Sequence, residues 1–470
     1  MRLKLDKQLL SVAVVGHANT GKTSLIRTLL RDASFGEIAN KAGTTRHVEG
    51  AEIRIDEHQN LVIYDTPGLE DSMHLLNIID NTPIEDSKFE HKDEIDRLLA
   101  FIEREHEFPE LNQEIKVLKA LLTNDLIFYV IDVREPILGK YRDELKILSY
   151  AAKPIIPVLN FIEAGTTNID NWQAQLARLH LHAFVSFDSV VFRFADEMKI
   201  YHKMRTLLAH REEQLEALIQ QRQQQWQERE SAAQQLIATL LVEAAACRFK
   251  ADNDEQSISV ASEHLQTAIR SLESQTLSQL LALYQFKQQD IDQYDLPIEQ
   301  GEWELDLFSS DNLQEFGIKV TSNFVKGAGV GVAVDIFAAG MTLGAAAMTG
   351  GVMGALWGVK QRYYDEIEAS IKGHRYLCAD DLTLHVLWAR QLSLLSALQQ
   401  RGHASVNKLS LQHLDSNKDI LPKYWSKWLS RARQHPQWVT LNKSDQPKLK
   451  EKKVLLIEQI TTYLTSLKSN

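Results

Sequence analysis

Cysteine is almost missing from this 470-residue chain: Cys247 and Cys378 are the only two. Two are too few for a disulfide framework or a thiolate zinc site, and a reducing cytosol suits them. Positive charge is in deficit as well. Against 63 Asp and Glu stand 52 Lys and Arg, and the formal charge of -11 disfavours a generic binder of phosphate backbones. The N-terminus lacks the order of a secretory signal, because MRLKLDKQLL runs directly into the β-branched stretch Ser11 to Val15. Retention in the cytoplasm is expected. Proline is sparse, 10 residues in all, and both proline and glycine are absent between Tyr201 and Lys287, which predicts long helices there. What is present is an ordinary soluble mix, 44% hydrophobic and 24% charged, at a length that asks for two or three domains.

Up to about residue 200, short apolar runs alternate with helical patterns: VAVVG, AEIRI, LVIYD, LIFYVID, PIIPVLN and AFVSF. That rhythm predicts an α/β domain over 1–200 with a mostly parallel sheet, carrying a helical insertion at about 72–122. A long-helix domain follows over 201–289, where Leu208, Leu215, Ile219, Trp226, Ala233, Ile237 and Leu240 recur at helical spacing. They fit a bundle's own core or a stalk-like coiled coil. Residues 290–317 hold Pro297, Gly301 and nine acidic residues and read as an acidic linker. Beyond it, 318–470 is expected to be a helical C-terminal domain, with helical patterns at Ala379 to Gln400 and Val454 to Leu467. The basic run Lys448, Lys450, Lys452 and Lys453 reads as a solvent-facing stretch before a helix.

The sharpest chemical signal is Gly16-His17-Ala18-Asn19-Thr20-Gly21-Lys22-Thr23, between a predicted strand and a helix over Ser24 to Leu30. This is the GxxxxGK[ST] phosphate loop: Gly16 and Gly21 let backbone N–H groups, those of Thr20 and Ser24 included, face phosphate oxygens. Lys22 supplies a cation and Thr23 a hydroxyl for Mg2+. Further on, Leu61 to Tyr64 ends in Asp65-Thr66-Pro67-Gly68. Asp65 can reach the Mg2+ shell and the Gly68 N–H can sense a γ-phosphate. Between them, Gly43-Thr44-Thr45-Arg46 offers a hydroxyl that would ligate Mg2+ only while the γ-phosphate is present; Thr45 is preferred, with Thr44 its neighbour. Lys22, Thr45 and Gly68 form the expected catalytic set, and Thr23, Thr45 and Asp65 the expected Mg2+ ligands. Three such motifs in order describe a nucleoside triphosphatase switch.

GHANTGKTS, AGTTRH and DTPGLED, in that order, resemble the Era, EngA and TrmE type of translation-factor-related P-loop GTPases over roughly residues 9 to 192. With YVIDVREPILGKYRDEL and PVLNF added, the chain is similar to a bacterial family of two-domain GTPases whose C-terminal half is a domain of unknown function. The resemblance implies GTP or GDP as the nucleotide. It places Asn160 in the guanine-reading position, although Asn160-Phe161-Ile162-Glu163 departs from the usual Asn-Lys-x-Asp, with Glu163 as the substitute carboxylate and adenine or relaxed specificity as the alternative. A further base-contacting loop is expected near Val185-Ser186-Phe187-Asp188-Ser189, through either serine; the other reading of that stretch is an ordinary strand end. Asn19 matches the position at which TrmE-type relatives bind K+; the other reading is that its amide steadies the loop. Position 69 is Leu, where Ras-like enzymes carry the glutamine that orients water, so slow turnover without K+ or a partner is expected. Glu70 and Asp71 read as solvated surface.

One apolar stretch remains. Residues 327–359 are glycine-rich, with Asp335 the only charge, and from Ile336 to Val359 none of the 24 residues is charged. Small residues four apart let helices approach closely. Lys326 on one side and Lys360 and Arg362 on the other fit a helical hairpin, either shallow in the inner face of the cytoplasmic membrane or buried in the C-terminal domain. The expected function is a GTP-hydrolysing switch coupled to this helical region, with lipid and a second copy of the chain as partners. A ribosome- or RNA-associated assembly factor is the alternative, disfavoured by net acidity, and a nucleotide-binding scaffold with little turnover is a third.

Overall fold

The computed structural model describes residues 9–31, 49–55, 59–84, 91, 93–163, 167–286, 298–299, 302–303, 307, 334–337, 374–379, 381–400, 425–440 and 447–468. Two units emerge: Met1–Trp226 with Gln399–Val406, and Gln227–Leu398 with Asn407–Asn470.

The first unit is built on six strands: β1 (Leu9–Val15), β2 (Glu49–Arg54), β3 (Asn60–Asp65), β4 (Leu126–Asp132), β5 (Ile155–Asn160) and β6 (Val185–Ser186). They lie in the order β2-β3-β1-β4-β5-β6, with β2 antiparallel to β3 and the other pairs parallel. All seven residues of β4 are buried, which is how a central parallel strand covered on both faces must read. Its alternate side chains feed two cores. Ile127, Tyr129 and Ile131 join one with Leu75, Phe101, Leu118 and Leu145, whereas Leu126, Phe128 and Val130 join the other with Leu25, Leu29 and Tyr201.

Helices α1 (Lys22–Leu30), α2 (Ser72–Asn81), α3 (Glu94–Glu103), α4 (Asn112–Thr123), α5 (Gly139–Tyr150), α6 (Ile169–Arg178) and α7 (Phe194–Leu207) connect the strands and cover them. Three of them, α2 to α4, fill the expected helical insertion. Asp71, read from sequence as solvated surface, accepts a hydrogen bond from the His74 N–H at 3.1 Å and caps α2. The sheet core does not stop at residue 200. Tyr201, Met204, Leu208, Leu215 and Ile219 are buried in it, and Phe194 stacks on Trp226 at 4.6 Å. Buried Glu197 ties these helices to α1 through Arg31 at 3.2 Å and Arg222 at 3.6 Å. The break in proline and glycine content near 200 is therefore a change of local composition inside one packed unit.

In the second unit the chain runs through the rest of α8 (Glu212–Ala246), then β7 (Arg248–Asp252) and α9 (Glu255–Leu283). The strand separates two long helices within the long-helix stretch expected over 201–289. Asn253 follows it, and Asp254 caps α9 by accepting the Ser257 N–H at 2.8 Å. Within the acidic linker expected over 290–317, β8 (Ile298–Glu299) and β9 (Glu302–Trp303) pair antiparallel. Strand β10 (Val334–Phe337) pairs antiparallel with β11 (His374–Ala379), which pairs with β7. The helical reading of 327–359 thus fails at 334–337, where β-branched Val334 and Ile336 with Phe337 suit a strand. The remainder of that segment lies outside the described residues. No helix among the described residues is long and apolar enough to cross a membrane.

Helices α10 (Asp381–Gln400), α11 (Trp425–Arg433) and α12 (Pro447–Lys468) follow among the described residues. Pro447 opens α12, a position where its missing N–H costs nothing. Lys453, grouped from sequence with solvent-facing lysines, instead reaches the buried Glu243 at 2.6 Å.

Candidate nucleotide site

Strands β1, β3, β4 and β5 end at one edge of the sheet, where the register sets Val14 beside Asp65 and Asp132 beside Asn160. In open parallel sheets that edge is where ligands bind. The loop leaving β1 is shaped by residues that tolerate unusual backbone. Gly21 has φ 90°, and a Cβ there would lie 2.3 Å from the Asn160 amide nitrogen; Asn19 adopts φ 64°, a left-handed angle that asparagine accepts readily. Gly21 is also the N-cap of α1, so the helix's first N–H groups point into the loop.

Lys22 is 8% exposed, and its ammonium donates to the carbonyls of Gly16 (3.1 Å) and His17 (2.8 Å). Burial lowers its pKa from the usual lysine value, opposed by the negative charges of Asp65, Glu144 and Glu70. Thr23 Oγ1 donates to Asp65 Oδ2 at 2.6 Å, bringing together the hydroxyl and carboxylate of two separate motifs. Both are hard oxygen donors, which suits Mg2+. Thr66 fixes the start of the DxxG loop by donating to the Val14 carbonyl at 2.7 Å. That loop then passes so close to the phosphate loop that a Cβ on Gly68 would sit 2.9 Å from the Ala18 nitrogen, a position open only to glycine. Leu69 is fully buried in the core beside α2 and α5, and its side chain has no polar atom with which to orient a water.

Asn160 joins three loops. Its Nδ2 donates to the Thr20 carbonyl at 3.0 Å, and its Oδ1 accepts from the N–H groups of Phe161 and Ser189, each at 2.9 Å. Phe161 takes the left-handed φ of 60° and lays its ring against Gly21, while the Arg134 guanidinium stacks 4.0 Å from the ring centre. Arg134 is itself held by Asp132 through contacts of 2.6 to 3.2 Å. Glu163, expected to replace the guanine-reading Asp, pairs with Arg193 at 2.6 Å at the surface. Asp188 organises the last loop by accepting three backbone N–H groups, from Glu163, Val190 and Val191.

Of the sequence-derived residues, Gly16, Asn19, Thr20, Gly21, Lys22, Thr23, Ser24, Asp65, Gly68 and Asn160 converge on this edge. The Thr20 hydroxyl is used within the loop, donating to the His17 carbonyl at 3.0 Å, and Asn19 is exposed. Thr44 and Thr45 lie outside the described residues. Sequence reading passed over His17, Glu144, Lys140 and the Arg134–Phe161 stack, because nothing in a single sequence marks side chains that meet only after folding.

Strand order, phosphate loop and DxxG loop together define a P-loop GTPase domain. Residues 11–161 match the family described as 50S ribosome-binding GTPase, and residues 173–462 match the one described as Domain of unknown function (DUF3482). The latter match spans more than half of the chain, and the protein belongs to that DUF3482 family. GTPase Der of Nautilia profundicola is 35% identical over 81 residues, 17% of this chain and 17% of that protein's length. Among solved structures, an Aquifex aeolicus Era variant bound to GDP and AlF4- is 23% identical, with 42% of this chain and 56% of that chain covered at a TM-score of 0.29. The G domain of the T. maritima FeoB iron transporter is 21% identical, with 42% and 99% covered at a TM-score of 0.23.

Proposed function

We propose that this protein binds GTP and GDP and hydrolyses GTP, using its nucleotide state as a switch. The observation that carries this reading is the meeting of Thr23 and Asp65 at 2.6 Å beside buried Lys22. Lys22 and the loop N–H groups bind the phosphates, and Gly68 presents its N–H where a γ-phosphate would extend. Thr23 and Asp65, with Thr45, would hold Mg2+, which when bound neutralises charge on the phosphate oxygens. Phe161 and Arg134 form the wall on which a purine ring stacks, and Glu163 reads guanine once it leaves Arg193. Titration with fluorescent GDP and ADP tests the assignment: guanine should be preferred at least tenfold, and equal affinities would refute it.

Because Leu69 is buried and apolar, hydrolysis by the free protein is slow, with Asn19 the position at which K+ would enter. Phosphate release in matched KCl and NaCl checks this; equal rates exclude a K+ role. The uncharged stretch that continues past β10 supports attachment of the C-terminal unit to the inner face of the cytoplasmic membrane, with nucleotide state controlling lipid contact or self-association. Liposome flotation with GDP and with a non-hydrolysable analogue tests that step, and absence of flotation in both states ends it. A second reading, a ribosome-associated assembly GTPase, draws on the description of the family matched by residues 11–161. Co-sedimentation with ribosomes that survives moderate salt would favour it.

A further inference from the structure

Beside the phosphate loop lies a polar cluster that nucleotide binding by itself does not call for. His17 Nδ1 is 2.9 Å from the Leu69 carbonyl oxygen and 2.9 Å from Glu144 Oε1, and Nε2 is 2.8 Å from Lys140 Nζ. Glu144 is wholly buried and accepts a second hydrogen bond, from the Tyr129 hydroxyl at 2.7 Å. An ammonium has protons but no lone pair, so Lys140 donates to Nε2. The imidazole proton therefore sits on Nδ1, shared between the Leu69 carbonyl and the Glu144 carboxylate. Burial and the Glu144 charge keep Tyr129 protonated, and so a donor, well beyond the ordinary tyrosine range. Tyr141 meets the His17 ring edge-on at 5.6 Å and closes the cluster.

This arrangement links two loops that a nucleotide must read together. His17 belongs to the phosphate loop, while Leu69 follows the glycine whose backbone lies against Ala18. We propose that His17, oriented by Glu144, is a positioning residue that latches the DxxG loop onto the phosphate loop and so favours the triphosphate over the diphosphate. The inference rests on the GTP-switch reading above. Its logic is differential: only a γ-phosphate can accept the Gly68 N–H, so only the triphosphate gains from a loop already held in place.

Substitutions separate the latch from simple packing, because an asparagine amide nitrogen overlies Nδ1 whereas that of glutamine lies nearer Nε2. Full-length wild type, His17→Ala, His17→Asn and His17→Gln are titrated with GDP and with the non-hydrolysable analogue GDPNP in MgCl2. His17→Ala and His17→Gln should lower GDPNP affinity relative to GDP about fivefold or more. His17→Asn should hold the ratio within about twofold of wild type. Amide exchange over 66–70 in GDPNP should rise in the first two variants alone. If His17→Ala fails to fold, the contrast between Asn and Gln decides. An unchanged ratio in a folded His17→Ala, or identical behaviour of Asn and Gln, overturns the latch while leaving the GTPase assignment intact. Failure of wild type to bind either guanine nucleotide overturns both.

Discussion

Buried charge serves different ends at the nucleotide site and in the C-terminal unit. At the sheet edge, Lys22 and Asp65 gather around a loop shaped for phosphate, and the lysine bears a desolvation burden that its neighbours only partly offset. In the C-terminal unit, Glu273 meets Arg390 at 3.1 Å and Gln391 at 3.2 Å, and Glu243 meets Lys453 and Thr440. The first set is arranged toward a ligand, the second toward its own partners. A buried ion awaiting a ligand can be deleted at little cost to the fold, whereas a buried ion already paired cannot, since its partner is left stranded.

The sharpest test of that contrast is Lys22→Ala, which should lower nucleotide affinity about 100-fold through loss of a charge-assisted contact. Thermal unfolding should show stability unchanged or slightly raised. Glu273→Ala should do the reverse: it takes the carboxylate away from Arg390 in the core, costs about 3–5 kcal/mol in chemical denaturation and leaves nucleotide affinity in the other unit untouched. Should Glu273→Ala prove neutral, the comparison collapses. Next comes Phe161→Ala, which removes the stacking wall and should weaken guanine nucleotide binding about tenfold in a fluorescence titration. The smallest effect concerns Cys247, whose thiol is pushed up to about 12 by burial, with Cys378 and Glu243 adding to the rise. An acid with a raised folded pKa favours the fold below its unfolded value of 9.0 and loses that contribution as pH climbs toward about 12. Native alkylation at pH 8 should therefore be negligible and should appear only on unfolding.

The nucleotide half was legible because its chemistry is local. Gly16 to Thr23 are contiguous, Asp65 to Gly68 end a strand with a clear pattern, and Asn160 ends another. His17 and Glu144 were not legible: they are far apart in the chain and meet only because β1 and α5 pack on one sheet. Arg248–Asp252 escaped notice for another reason. With no proline or glycine, its β character comes from pairing with β11, a tertiary effect that overrides local propensity. The unit limit at Trp226 was hidden likewise, since the apolar side chains of α8, Leu215 and Ile219 before it and Ala233 and Ile237 after it, keep the same helical spacing. Of the apolar stretch, the charge-free length was evident and the strand at its start was not.

The pairing of β7 with β11 also bears on how the protein is made. His374 faces Asp252 across a ladder whose strands are separated by roughly 120 residues of chain. At about 5–20 residues per second, β7 leaves the ribosome roughly 6–24 s before the strand that completes it. Through that interval its backbone N–H and C=O groups have no ladder, and an unpaired strand is a template for the wrong neighbour. Long helices on either side, which form locally and within microseconds, are the natural guard during the wait. The nascent chain should be most prone to aggregate when synthesis halts between β7 and β11.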